Sequence, residues 1–169
     1  MSESGVEIID HGWLRYRKQL KELNGSYIKF GFFAGEKAGF AEIVHALEMG
    51  SVRRISQKQF FFLRSKGMEV GTEIIIPERS FIRSSFDENL DQIYKWIETA
   101  FLRIGEGKSK KEALNTVAKN CKELILTKLK SGDFKENDPY TRERKGYDKK
   151  PLEDKGALQE GIDSVVSVK

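Results

Sequence analysis

Between residues 85 and 131 apolar side chains return every three or four positions, and they do so in two successive runs. Phe86, Leu90, Ile93, Ile97, Phe101 and Ile104 form the first stripe. Ala113, Val117, Cys121, Leu124 and Leu129, widened by Leu114 and Ile125, form the second. This is the period of a helix that buries one face. Ser85-Phe86-Asp87-Glu88 and Ser109-Lys110-Lys111-Glu112 both carry capping-box spacing, in which the Ser side chain and the acidic side chain each satisfy a free backbone N–H. The pattern therefore predicts helices over 85–105 and 109–131, closed by Gly105 and by Ser131-Gly132. The short connection favours antiparallel packing.

Elsewhere the rhythm changes. A helix is predicted over 10–23, capped by Asp10 and closed by Asn24-Gly25, with Trp13, Leu14, Leu20 and the stem of Arg17 on its apolar side. Residues 27–33 alternate, placing Ile28, Phe30 and Phe32 on one face of a strand, with Gly31 marking a bulge or a close backbone approach. Phe40, Ile43, Val44 and Leu47 predict a short helix ending at Gly50. Residues 51–58 are basic and irregular. Gln59 to Leu63 and Thr72 to Ile76 read as the arms of an aromatic β-hairpin over 59–76, turned at Lys66-Gly67 and Gly71 and stopped by Pro77. Residues 133–150 show no period and read as a long charged loop. A last β-rich run covers 162–168. The fold class expected is α+β, a single domain. A small, mostly antiparallel sheet of four or five strands packs on two long antiparallel helices.

Composition agrees with one packed core: the 169 residues are 38% hydrophobic and include eleven Phe against three Pro. The net charge of +4 is unevenly spread, with seven Lys between Lys108 and Lys130 against Glu112 and Glu123 only. A solvated helix face accounts for that surplus, and a phosphate-tracking surface using Lys119 and Lys130, or Arg53, Arg54 and Lys58, is the alternative. Met1-Ser2-Glu3-Ser4-Gly5 lacks the basic start and apolar run of a signal peptide, and nothing approaches a membrane span.

Little in the chain suggests catalysis. Gly107-Lys108-Ser109 resembles the tail of a phosphate-binding loop, but the position needing the first glycine is Leu102 and no strand feeds it, so Ser109 is a helix cap. His11 and His45 are the only histidines and Cys121 the only cysteine, which excludes a structural zinc for a lone chain. His45 with Glu42 and Glu48 reads as a surface ion pair, and Cys121 as a buried inert thiol. No catalytic, cofactor or metal residue is assigned.

Three segments resemble the neck, minor-tail and tail-completion proteins of tailed bacteriophages, including the virion-morphogenesis proteins of Mu-like phages. Ala41 to Gly50 is similar to that family's A-x-x-x-E-x-G run. Ile76-Pro77-Glu78-Arg79-Ser80-Phe81-Ile82-Arg83 resembles I-P-x-R-P-F-L-R before a long helix. Pro151-Leu152-Glu153-Asp154-Lys155-Gly156-Ala157-Leu158, then Ile162, resembles P-L-x-D-T-G-x-L-x-x-S-I before a final strand. Ser80, Lys155 and Gly161 depart from the pattern. The resemblance implies a structural virion protein, not an enzyme, that forms a ring, a hexamer, in head–tail joining or tail completion. Its partners would be itself and other neck, connector or tail-tube proteins, with DNA only as the passing genome and no membrane. Its place would be the virion, and the host cytoplasm during assembly. The alternative is a non-specific nucleic-acid-binding accessory protein. The candidate assembly contacts are Phe60, Phe61, Phe62 and Arg64 on the hairpin, and Pro139, Tyr140, Arg142 and Arg144 in the charged loop. Pro77, Arg79, Phe81, Arg83, Pro151, Leu152, Asp154 and Gly156 define the fold, with Arg79 and Arg83 expected on one side of a turn, facing carboxylates such as Asp154.

Overall fold

A computed structural model describes residues 9–33, 40–131, 133–137, 139–146, 148–153 and 156–168. Helix α1 (Trp13–Glu22) leads to strand β1 (Tyr27–Gly31), then α2 (Phe40–Met49), β2 (Ser51–Arg54), α3 (Gln57–Ser65) and β3 (Glu73–Ile76). A short α4 (Phe81–Asp87) precedes α5 (Leu90–Gly105) and α6 (Lys110–Ser131), and α7 (Pro139–Lys145), α8 (Ala157–Gly161) and β4 (Asp163–Ser167) complete the order. The fold is α+β. Its strands, however, do not join into one sheet of four or five. They form two antiparallel pairs, β1 with β4 and β2 with β3.

The long helices explain the core. On α6 the expected stripe is buried almost as written: Ala113, Val117, Cys121, Ile125 and Leu129, joined by Ala118. On α5 the buried line is Ile93, Ala100 and Ile104, rotated away from Leu90 and Phe101, which remain exposed. Their antiparallel course shows in the neighbours along the pair. Glu88, just ahead of α5, meets Lys128 near the end of α6, and Trp96, Ala100 and Arg103 of α5 share one groove with Ala113, Val117 and Asn120 of α6. This half of the core is continuous with a second cluster in which Phe81, Ile125, Leu152, Leu158 and Ile162 are buried, and Phe30 and Phe86 pack against both. The β1–β4 pair lies on α6, in unbroken register from Tyr27↔Ser167 to Gly31↔Asp163. Gly31 ends the strand at φ 139° instead of bulging it.

Several local expectations change for stated reasons. Asp10 does cap the first helix, its Oδ1 accepting from the backbone N–H of Trp13 at 2.7 Å and of Gly12 at 3.1 Å. Trp13 and Leu14, though, face solvent, and α1 leans on α5 through Tyr16, whose ring occupies the space beside Gly105. Ser85 does not start a helix. It lies buried inside α4, its hydroxyl turned back to the carbonyl of Phe81, and α5 starts only after Asn89, whose side chain donates back to the Ser85 carbonyl. A Ser hydroxyl that finds a carbonyl one turn back competes with the capping role. The charged loop 133–150 contains α7, opened by Pro139, whose fixed φ suits a first helical position.

The two motifs near residues 50 and 80 meet in space. Gly50 turns at φ +71°, and a Cβ there would stand 3.0 Å from the Glu78 backbone nitrogen, so only glycine fits. The Arg79 N–H donates to the Leu47 carbonyl at 2.8 Å. Above them Glu48, from the last turn of α2, presents its carboxylate to the start of α4. Oε2 accepts from the N–H of Phe81 (2.8 Å) and Ile82 (3.0 Å), and Oε1 from the N–H of Arg83 (2.8 Å) and the Ser80 hydroxyl (3.0 Å). The carboxylate thus serves as an N-cap delivered from another helix, satisfying three N–H groups that α4 cannot satisfy itself. The expected His45 ion pair gives way to this role for Glu48.

Replacing Glu48 by Ala is expected to cost about 2 kcal/mol or more, because it removes a charge-assisted cap and leaves partly buried N–H groups unpaired. Glu42→Ala, on the exposed face of the same helix, is expected to stay within about 0.5 kcal/mol. Urea unfolding of both variants checks the contrast, and equal losses would refute the capping role.

Candidate functional site

Chain from 51 to 76 forms an arm that leaves the body at this joint. Its base is the β2–β3 ribbon, registered Ser51↔Ile76, Val52↔Ile75, Arg53↔Ile74 and Arg54↔Glu73. The hairpin expected over 59–76 is therefore real in its second arm only. The first arm is the basic stretch 51–54, and the aromatic run is the helix α3 carried at the tip.

The reason is local. Ser56 accepts from the Gln59 N–H at 3.3 Å while the Gln59 side chain accepts from the Ser56 N–H at 3.0 Å, a capping box. At the other end the Gly67 N–H reaches the Arg64 carbonyl (3.0 Å) and the Met68 N–H the Leu63 carbonyl (3.1 Å), with Gly67 at φ +79°. That is a Schellman closure. With both ends satisfied, the β preference of three Phe in a row is overruled.

The arm buries little. No residue of α3 is fully buried; Phe61 and Phe62 are 67% and 54% exposed, and the facing pair Val52 and Ile75 are 62% and 71% exposed. Phe60 is half-buried against the edge of Phe61, at 5.4 Å between ring centroids. Arg64 sits over the Phe60 ring at 5.5 Å and Lys66 over Phe62 at 6.0 Å. Cations over ring faces leave an amphipathic surface, apolar with a basic margin.

The second group of candidates splits. Arg79 is buried, and it holds the charged segment: Nε donates to the Lys135 carbonyl (3.1 Å), and Nη2 to the Glu136 carbonyl (3.3 Å) and to Asn137 Oδ1 (3.0 Å). Arg83 goes elsewhere, staying exposed and pairing with Glu78. The two arginines therefore do not share a side. Asp154, the carboxylate expected to face them, lies outside the described residues. Arg142 pairs with Glu136 at 3.1 Å and Arg144 is exposed. Pro139 and Tyr140 supply backbone to α7, and their side chains lie outside what is described. Phe81 is fully buried, and Leu152 is buried at φ 65°. This left-handed conformation costs a leucine about 1–2 kcal/mol. Gly156 takes φ +80° ahead of α8 without strain, and Pro151 and Leu152 lie in the turn before it.

A second feature was not read from the sequence. An apolar cleft of about 330 Å³ opens between β1 and the α5–α6 pair, lined by Tyr27, Ile28, Ile97, Phe101 and Leu114, with Cys121 among its wall residues. Cys121 is buried, and burial pushes its thiol above the usual range, away from nucleophile behaviour. Among the described residues no group of three His, Cys, Asp or Glu is placed to hold a metal ion, and no helix is long and apolar enough to cross a membrane. Compared with known proteins, the chain matches no family model, no curated protein and no solved structure.

Arg79→Met should release the segment 133–137 while leaving the α5–α6 core closed. Limited proteolysis is expected to cut within 133–150 at least about tenfold faster, with amide exchange at Ile93 and Val117 unchanged, since local opening tracks local contacts. Phe61→Ala with Phe62→Ala should change the stability of the isolated chain by no more than about 0.5 kcal/mol, because both rings are already in water. A loss of several kcal/mol on thermal melting would place them in the core instead.

Proposed function

We propose that this chain is a structural virion protein of a tailed phage or prophage, assembling into a ring in head–tail joining or tail completion. One observation carries the reading: a two-stranded ribbon tipped by a short helix shows Val52, Ile75, Phe61 and Phe62 to solvent. A ribbon of two strands is marginal in water by itself. Exposed apolar groups gathered on one projection suit a surface that another chain completes. The motif through which this arm returns to the body, Ile76 to Arg83, is the same one that resembles the tail-completion family. The joint gives it a physical purpose, fixing the arm on a rigid base. The partners are further copies of the chain, with a hexamer as the resemblance implies, and neighbouring neck, connector or tail-tube proteins.

Sedimentation velocity over a concentration series, followed by negative-stain imaging, tests this. The expected result is a concentration-dependent oligomer or ring without nucleic acid. A chain that stays monomeric and binds duplex DNA, with affinity falling steeply as salt rises, would overturn it in favour of a nucleic-acid-binding accessory protein.

A further inference from the structure

We infer that the arm of one copy docks head to tail across the outer face of α5 of a second copy. This rests on the oligomer reading above and adds which two surfaces meet.

The receiving face is visible in how α5 is used. Its buried line is Ile93, Ala100 and Ile104, yet Leu90, Tyr94 and Phe101 follow one another at helical spacing on the adjoining face and stay 46%, 65% and 40% exposed. Residues four and seven apart share a side of a helix, so these make a second apolar stripe with nothing described over it. It runs into the apolar cleft through Phe101 and Ile97. Asp91 and Glu98 are exposed beside it.

Charge selects the occupant. The arm, 51–76, carries Arg53, Arg54, Lys58, Arg64 and Lys66 against Glu69 and Glu73, a net +3. The stretch 87–106 carries Asp87, Glu88, Asp91, Glu98 and Glu106 against Lys95 and Arg103, a net −3. Glu88 is held by Lys128 and Arg54 by Glu73, which leaves both surfaces with their sign intact. Arm against arm would face cations with cations, and α5 against α5 would face carboxylates with carboxylates. Like-charge contacts of that kind are what exclude wrong pairings. Arm on α5 matches apolar to apolar and basic to acidic. The two patches differ, so the contact is heterologous: each copy gives an arm and receives one, and such contacts close into rings when the rotation permits.

Two variants, each broken on one side, test the geometry. Phe61→Ala with Phe62→Ala removes the arm's anchors, and Tyr94→Ala with Glu98→Lys alters the receiver, all at exposed positions. Each is expected to weaken self-association at least about thirtyfold and to sediment as a monomer at concentrations where the native chain assembles. Their equimolar mixture is expected to form a species of two chains and stop there, because one intact arm and one intact receiver are used once. Arg64→Glu and Glu98→Arg, changing charge only, should each weaken assembly and restore it when combined in one chain, which guards against a misfolded variant. Native-like assembly by the Tyr94/Glu98 variant would overturn the proposal, as would a mixture that remains monomeric. A native chain monomeric up to roughly 100 μM would instead defeat the oligomer reading itself, and would do so before any variant is made.

Discussion

The carboxylate of Glu48 is the contact on which the rest of this structure turns. It accepts three consecutive N–H groups at the start of α4 and the hydroxyl before them. Four donors meeting one acidic side chain from another helix is a strong constraint, since charge-assisted bonds are roughly twice as strong as neutral ones. It locks the end of α2 against the beginning of α4. Everything that passes through that corner inherits the geometry: the turn at Gly50, the last pair of the ribbon at Ser51 and Ile76, and the buried guanidinium of Arg79. Arg79 in turn carries the chain at 135–137. The corner is a joint with four members, and Phe81, fully buried immediately after it, pins the joint to the core.

Such a joint separates two kinds of sequence. Inside it, the chain is limited by packing. Gly161 shows how closely, since a Cβ there would approach the rings of Phe40 and Phe32 to 2.9 and 3.0 Å. Leu152 shows it again, holding a left-handed backbone so that its side chain reaches the core. Outside the joint, the arm has almost no packing to satisfy. Its helix is held by caps at both ends, and its aromatic side chains are free to serve an external surface. A body that tolerates strain for fit and an arm that leaves large apolar groups in water are hard to explain by the stability of one chain alone.

The parts legible in the sequence were those where one signal stood alone. The α6 stripe was read nearly residue for residue, because a helix buried along one line writes its period plainly. The first and last strands, at 27–31 and 163–167, matched for the same reason. Misreadings arose where two signals competed. Gln59 to Leu63 is rich in β-preferring Phe, but Ser56-x-x-Gln59 and Lys66-Gly67 are helix-end signals, and end satisfaction outweighed side-chain preference. Ser85 looked like a cap, yet the chain had already started a helix at Phe81 under Glu48, thirty-three positions back. No local pattern announces a cap supplied from another element. For the same reason Arg79 was legible as important but not as the holder of residues 135–137.

The lysines show how tertiary structure redistributes a charge that composition only counts. The sequence places its cationic surplus on the 108–130 segment. In the fold, Lys110 meets Glu22 at 2.8 Å, Lys122 meets Asp163 at 3.4 Å and Lys128 meets Glu88 at 2.7 Å. Lys150 donates to the carbonyls of Lys130 and Ser131 at the end of α6. These pairs hold α1, β4 and the start of α5 to the central helix. Exposed ion pairs contribute little stability each, but they do consume charge. What remains on α6, Lys111, Lys119 and Lys130, is sparse for tracking a phosphate backbone, which needs several cations acting together. The basic arm, by contrast, keeps Arg53, Lys58, Arg64 and Lys66 beside exposed apolar groups. Positive charge interleaved with aromatic rings at a projecting tip, over a body in which Lys110, Lys122 and Lys128 are engaged internally, supports the proposed docking on an acidic apolar surface over wrapping a nucleic acid.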